Sequence, residues 1–80
     1  MKVKILCFGI TREILGSFEH YQEIPEGSTV DELKALLTAE FPRFAQLNSL
    51  RIALNENYGD GSQVIDARDE IVLIPPVSGG

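Results

Sequence analysis

The sequence is poor in the residues that supply most metal and disulfide chemistry. Its 80 residues include one cysteine, one histidine and no tryptophan. A single cysteine, Cys7, excludes an intrachain disulfide framework and is typical of a chain that works in the reducing cytoplasm. His20 has no second histidine, cysteine or carboxylate at ligand spacing, so we interpret it as a surface strand residue and expect no metal site.

Basic residues and long apolar runs are also scarce. Seven Lys and Arg residues stand against twelve Asp and Glu residues, for a formal net charge of −5. Because nucleic-acid binding needs clustered cations, this balance argues against a nucleic-acid partner and favours a protein with a basic docking surface. No apolar run approaches the ~20 residues of a membrane helix, and the first residues lack a signal-peptide pattern, so we expect no membrane attachment.

The motifs of side-chain catalysis are missing as well. There is no Ser-His-Asp or Cys-His arrangement, no H-E-x-x-H motif and no glycine-rich phosphate loop. The acidic residues Glu56 and Asp60 lie in a turn-rich stretch but lack the alternating ligands of a calcium loop. We therefore expect this chain to bind no cofactor and to have no catalytic side chain of its own.

What is present is the hydrophobic pattern of a small α+β domain. Residues 1–9 alternate as a strand, with Val3, Ile5 and Cys7 on one wholly apolar face. This face marks Cys7 as a core residue rather than a nucleophile. The pattern further predicts a helical turn at 11–16 capped by Thr11, strands at 18–24, 51–55 and 70–74, and an edge segment at 63–65.

A capping box marks the start of the main helix. Thr29 at the N-cap and Glu32 three residues later can satisfy each other's free backbone donors. Pro42 disfavours helical backbone at the residue before it, so the helix should end near Phe41, and one more helical turn should follow. The helix has apolar residues spaced three and four apart, namely Val30, Leu33, Leu36 and Leu37.

Residues 1–74 are predicted to form a β-grasp domain, in which a mixed, twisted sheet wraps around one main helix. The last strand is apolar on both faces, so it belongs in the centre of the sheet beside the first strand. One helix covers only one face, which leaves apolar side chains on the other face as a candidate docking surface. The predicted docking residues are Leu6, Phe8, Val72 and Ile74, extended by Tyr58. The alternative is that the segment 41–50 folds over this face.

Residues 75–80 are predicted to extend from the domain as a tail, composed of Pro75, Pro76, Val77, Ser78, Gly79 and Gly80. The two prolines cannot continue a sheet ladder and predict a stiff stem. The tail can reach about 20 Å, and its glycines can pass a narrow tunnel. A carboxylate on Gly80 is a poor electrophile, but adenylation would make its carbonyl carbon open to attack by sulfur or nitrogen. The alternative is a frayed terminus.

The ending from Ile74 to Gly80 resembles that of the sulfur-carrier subunits of molybdopterin synthase, a ubiquitin-like β-grasp family. Residues 8–13 (FGITRE), 25–30 (PEGSTV) and 53–58 (ALNENY) are similar to further stretches of that family, so the resemblance covers essentially the whole chain. It implies that an activating enzyme related to ubiquitin-activating enzymes uses ATP to adenylate Gly80. It also implies that a sulfur-relay protein converts the adenylate to a thiocarboxylate.

The resemblance further implies a heterotetramer with the large synthase subunit, whose active site takes up the tail and supplies the catalytic side chains. Sulfur would pass to cyclic pyranopterin monophosphate, and two transfers would build the dithiolene of molybdopterin. Phe8, Tyr58 and Ile74 match family positions that pack against partners. Three alternatives are a ubiquitin-like modifier of lysines, a carrier for thiamine or tRNA thiolation, and a plain interaction domain with a dispensable tail.

Overall fold

The structure, a computed structural model, describes residues 1–47, 50–58 and 60–75, and within them a four-stranded sheet packs against one main helix. The elements in chain order are β1 (Lys2–Cys7), α1 (Ile10–Leu15), β2 (Glu19–Glu23), α2 (Val30–Glu40), a 3₁₀ helix (Pro42–Gln46), β3 (Arg51–Leu54) and β4 (Ile71–Ile74). The strand order is β2-β1-β4-β3, with β1 and β4 parallel and the two outer pairs antiparallel. The last strand therefore lies in the centre beside the first, and the predicted β-grasp fold is confirmed.

The core lies between the sheet and α2. Val3, Ile5 and Cys7 of β1 are fully buried, as are Ile71 and Leu73 of β4. They form one cluster with side chains of α2 and β3 that includes Leu33, Leu37, Ile52 and Leu54. Burying each such aliphatic side chain contributes about 1.5–3 kcal/mol before entropy is counted. The faces predicted from strand alternation are thus the faces that the protein buries.

The N-terminus of α2 has the predicted capping box. The Glu32 amide donates to Thr29 Oγ1 over 3.2 Å, and the Thr29 amide donates to Glu32 Oε1 over 2.8 Å. The next two amides donate across the chain, from Val30 to the carbonyl of Gln63 and from Asp31 to that of Gly61. Since helix N-terminal amides have no partner inside the helix, these contacts complete the start of α2. The helix ends at Glu40, next to the predicted Phe41.

Two local predictions are wrong. The segment 63–65 is not an edge strand of the sheet; its Val64 bridges Thr29, because the free amides at the start of α2 recruit this segment as a partner. Thr11 does not cap α1. The helix begins one residue earlier, after Gly9, whose φ of 56° turns the chain out of β1 in a way that favours glycine.

No described helix in residues 1–47, 50–58 and 60–75 has the length and apolar character needed to cross a membrane. Over the same residues, no group of three or more His, Cys, Asp and Glu side chains is arranged to hold a metal ion. His20 is half-buried; its Nε2 lies 2.9 Å from Gln22 Oε1 and its ring packs edge-on against Phe41. These contacts give His20 a structural role on β2.

Replacing Thr29 with Ala should lower the free energy of unfolding by about 1 kcal/mol, because the Glu32 amide loses its acceptor. Urea denaturation followed by circular dichroism measures the change. Thr38→Ala is the matched control, since the Thr38 hydroxyl only donates to the Lys34 carbonyl within the same helix. Equal losses from the two substitutions would contradict the role of the capping box.

The Cys7 thiol should resist thiol reagents in the folded chain and react in urea. Cys7 is fully buried, and this burial raises its pKa from 9.0 to about 11. The unfolded thiol ionises near its ordinary pKa, so the free energy of unfolding should fall as the pH rises from 9.0 toward about 11. A Cys7→Ala variant should lack this component. Rapid labelling of the native chain at pH 8 would show that the thiol is accessible and the assignment wrong.

Candidate docking surface and tail exit

Pro75, the first residue of the predicted tail, follows directly after the end of the two central strands. In the parallel pair, Cys7 lies opposite Leu73, so Phe8 and Ile74 follow at the same edge of the sheet. A Cβ atom placed on Gly9 would lie 3.2 Å from Cγ of Pro75, so the backbone of Gly9 passes directly against the proline ring. Residue 75 is therefore positioned by the turn that connects β1 to α1.

The face of the sheet opposite α2 is apolar near this exit. Leu6 pairs with Val72, which pairs on its other side with Ala53, so the three residues form a row across β1, β4 and β3. Leu6, Val72 and Ile74 are half-buried and Phe8 is 42% exposed. The structure thus brings four of the predicted docking residues together. Ala53 was not predicted, although the inward direction of its two neighbours places it on this face.

The alternative prediction, that residues 41–50 fold over this face, is wrong for the described residues of that segment. Phe44 of the 3₁₀ helix is buried in the core cluster, on the same side of the sheet as α2. Phe41 packs edge-on against both Phe44 and His20. The described residues of this segment therefore extend the helix side of the domain, and they leave the opposite face open.

Tyr58 reaches the exit edge through a tight reversal after β3. Asn55 and Glu56 both have positive φ, and Leu54 and Asn57 exchange two backbone hydrogen bonds across them. The chain then returns along the β3 edge, where the Arg51 guanidinium lies 5.9 Å from the centre of the Tyr58 ring. Arg51 pairs with Ile74 in the sheet, but Arg51 and Tyr58 also line a pocket with Val30 and Lys34 of α2, so Tyr58 lies at the β3 edge toward the helix side and does not extend the apolar face directly. Tyr58 is 58% exposed.

A further aromatic residue at the exit was not predicted as a site residue. Phe18 is 43% exposed, and its ring packs edge-on against that of Phe8 with 5.3 Å between the centroids. The signal was present in the sequence, because Phe18 opens the second predicted strand and a β1–β2 hairpin would bring it next to the end of β1. The hairpin register had to be known before that proximity could be recognised.

The reactive end of the predicted tail lies outside the described residues. This applies to the predicted site residues Pro76, Val77, Ser78, Gly79 and Gly80. Pro75 is described and half-buried. The described geometry therefore defines the base of the tail and the surface around it, and the chemistry at Gly80 stays a prediction.

Comparison with known proteins identifies the family. The ThiS family model matches residues 5–80. The molybdopterin synthase sulfur carrier subunit of Arabidopsis thaliana is 36% identical over 81 residues, which cover 100% of this chain and 84% of that protein. The match thus includes the domain, the exit edge and the tail.

Solved structures agree with this assignment. A molybdopterin converting factor subunit 1 from Pyrococcus furiosus superimposes with a TM-score of 0.85 at 26% identity, covering 96% of this chain and 99% of that one. Small archaeal modifier protein 1 from Methanosarcina acetivorans gives 0.74 at 26% identity, with 99% and 96% covered. A chain from the complex of subunits 1 and 2 of the Helicobacter pylori molybdopterin-converting factor gives 0.66 at 27% identity, with both chains fully covered. By sequence and by fold, the chain belongs to the ThiS family and, within it, to the sulfur carrier subunits of molybdopterin synthase.

Proposed function

We propose that this chain donates sulfur to cyclic pyranopterin monophosphate from a thiocarboxylate on Gly80. The observation that carries the proposal is the parallel pairing of β1 and β4, which sets Pro75 beside the apolar face of Leu6, Val72 and Ile74. A partner protein that binds this face would therefore bind the tail as well, because the tail begins at its edge. The likeness to the Arabidopsis subunit supports molybdopterin synthase as that partner.

The proposed chemistry uses the backbone terminus rather than a side chain. A Gly80 carboxylate oxygen attacks the α-phosphorus of ATP on the activating enzyme, and pyrophosphate leaves. Sulfur at the sulfide level, delivered by the relay protein, then attacks the carbonyl carbon, and AMP leaves. The sulfur of the resulting thiocarboxylate attacks a carbon of the pterin precursor and displaces an oxygen substituent, which gives a thioester; water then cleaves the acyl carbon–sulfur bond, so the sulfur stays on the precursor and Gly80 returns as a carboxylate. Because a dithiolene contains two sulfur atoms, two loaded carriers are consumed for each molecule of product.

The proposed partner in the last step is the large synthase subunit. The Helicobacter pylori structure is of a complex between subunits 1 and 2, which supports this pairing. The large subunit would contact the apolar face and Tyr58, and residues 75–79 would carry Gly80 into its active site. We propose a heterotetramer of two small and two large subunits. In that arrangement the catalytic side chains belong to the partner.

Sulfur loading should replace one oxygen atom at the C-terminus by one sulfur atom. The reaction contains the full chain, an activating enzyme, ATP and a sulfur donor, and intact-mass spectrometry provides the measurement. The matched control is the same chain lacking Gly80, which should unfold at the same temperature and remain unloaded. This control also distinguishes loading from oxidation, which adds a nearly equal mass, because it keeps Met1 and Cys7. Loading of the truncated chain would overturn the proposal.

A charge at the exit edge should weaken binding of the large subunit. Phe8→Asp and Ile74→Asp are each expected to raise the Kd by about tenfold or more, because a carboxylate would be desolvated in the interface. Isothermal titration calorimetry gives the Kd, and urea denaturation gives the stability of each variant. Val64→Asp is the control, since Val64 is 62% exposed and lies beside Thr29, away from this edge. Equal losses of stability and affinity would identify Phe8 and Ile74 as core residues.

A ubiquitin-like modifier is the second candidate, favoured by the likeness to small archaeal modifier protein 1. Both functions require adenylation of Gly80, but a modifier forms an isopeptide bond with a lysine amine of a target. Incubation with activating enzyme and host extract separates them, because only the modifier gives conjugates that resist thiols and denaturant. Carriage of sulfur for thiamine or tRNA would give the same thiocarboxylate without binding to the large synthase subunit.

A further inference from the structure

Phe8 and Phe18 form an aromatic corner beside the tail exit. Phe8 follows β1 and Phe18 precedes β2, and the Cys7 amide donates to the Phe18 carbonyl over 2.8 Å. The two rings meet edge to face at an interplanar angle of 85°. This is a preferred geometry for an aromatic pair, so the rings form one shaped apolar surface rather than two separate side chains.

The backbone under both rings is fixed by hydrogen bonds. Thr11 is fully buried, and its hydroxyl donates to the Phe8 carbonyl over 2.6 Å and accepts from the Phe8 amide over 2.9 Å. The Thr11 amide also donates to the Phe8 carbonyl, over 3.1 Å. On the other side, the Ser17 hydroxyl donates to the Glu19 carbonyl and so fixes the chain around Phe18. A surface held in this way loses little conformational entropy when a partner binds.

The corner is continuous with the proposed docking surface. Phe8 belongs to both, since it lies next to Ile74 at the end of the parallel pair and also contacts Phe18. Glu19, which follows Phe18 directly, is exposed and charged, as are Arg12 and Glu13 on α1, the helix that follows Phe8 in the chain. An apolar centre with a charged rim is the usual composition of a binding hot spot, in which aromatic side chains contribute most of the affinity.

We propose that Phe18 is a second docking aromatic for the large synthase subunit and that Thr11 is the positioning residue that presents Phe8 to it. The inference rests on the proposed function for the identity of the partner. The occupant is an apolar concavity of the large subunit, wide enough to take the edges of both rings. Phe18 contributes by direct contact, and Thr11 acts only through the backbone of Phe8.

Binding of the wild-type full chain to the large subunit is the premise, and it is measured first. Phe18→Ala should then raise the Kd by about tenfold, while Val64→Ala, another exposed apolar residue, should leave it within about twofold. Combining Phe18→Ala with Phe8→Ala should cost less affinity than the sum of the single changes, because the two rings contribute as one unit. Unchanged affinity for Phe18→Ala with normal wild-type binding would overturn the inference and leave the proposed function intact.

Two substitutions test Thr11, one that removes the hydroxyl and one that retains it. Thr11→Val keeps the shape and loses the hydroxyl, whereas Thr11→Ser keeps the hydroxyl. We expect Thr11→Val to weaken binding of the large subunit and Thr11→Ser to bind it with the affinity of the wild type. The ring current of Phe18 should also shift the Phe8 ring protons in the NMR spectrum of wild type and Thr11→Ser, and this shift should diminish in Thr11→Val. A loss of stability in Thr11→Val with unchanged ring shifts and affinity would make Thr11 purely structural.

If wild type does not bind the large subunit, the proposed function fails and the corner loses its assigned partner. If Phe18→Ala slows loading by the activating enzyme but leaves large-subunit affinity unchanged, the assignment to the synthase is wrong. Sulfur loading of each variant is therefore measured by intact mass alongside its Kd. Only normal loading together with weakened binding supports the inference.

Discussion

The parallel pairing of β1 with β4 is the constraint on which the rest of the structure depends. Its register sets Ile5 opposite Ile71 and Leu6 opposite Val72. Because side chains alternate along a strand, this register sends the first pair into the core and the second to the open face. A slip of one residue would exchange the two faces, exposing Ile5 and burying Leu6. The same pairing ends both strands at one edge, so one interaction determines the core, the proposed docking face and the position of Pro75 at the base of the predicted tail.

The residues that stabilise the domain and the residues of the proposed docking surface lie on opposite faces of the sheet. Stability lies on the α2 side of the sheet, where the core cluster meets a helix whose first amides are all satisfied by the capping box and the segment 61–65. The proposed function lies on the opposite face and at the exit edge. A chain of this size buries only about 60% or slightly more of its unfolded surface, so it has little core to spare. Keeping Phe8 and Phe18 half-exposed is consistent with a surface retained for binding rather than for folding.

Preorganisation is the common feature of the exit edge. Thr11 fixes the backbone of Phe8, and the reversal at Asn55 and Glu56 directs Tyr58 back toward Arg51. Positive φ is costly for a residue such as Glu56, so the reversal is maintained by the hydrogen bonds between Leu54 and Asn57. Under the proposed function, a rigid base would lower the conformational entropy lost when the chain docks on its partner.

The sequence by itself determined the elements whose signals are local. Alternation identified the buried faces of β1, β3 and β4, the capping box fixed the start of α2, and the double proline marked where the sheet must end. Only the tertiary structure decided which distant residues become neighbours. The contact of Phe18 with Phe8, the packing of Gly9 against Pro75 and the pairing of Val64 with Thr29 all depend on strand register and chain reversal. Local propensity carries no information about these contacts, since they arise when remote segments compete to bury apolar surface and to satisfy free backbone groups.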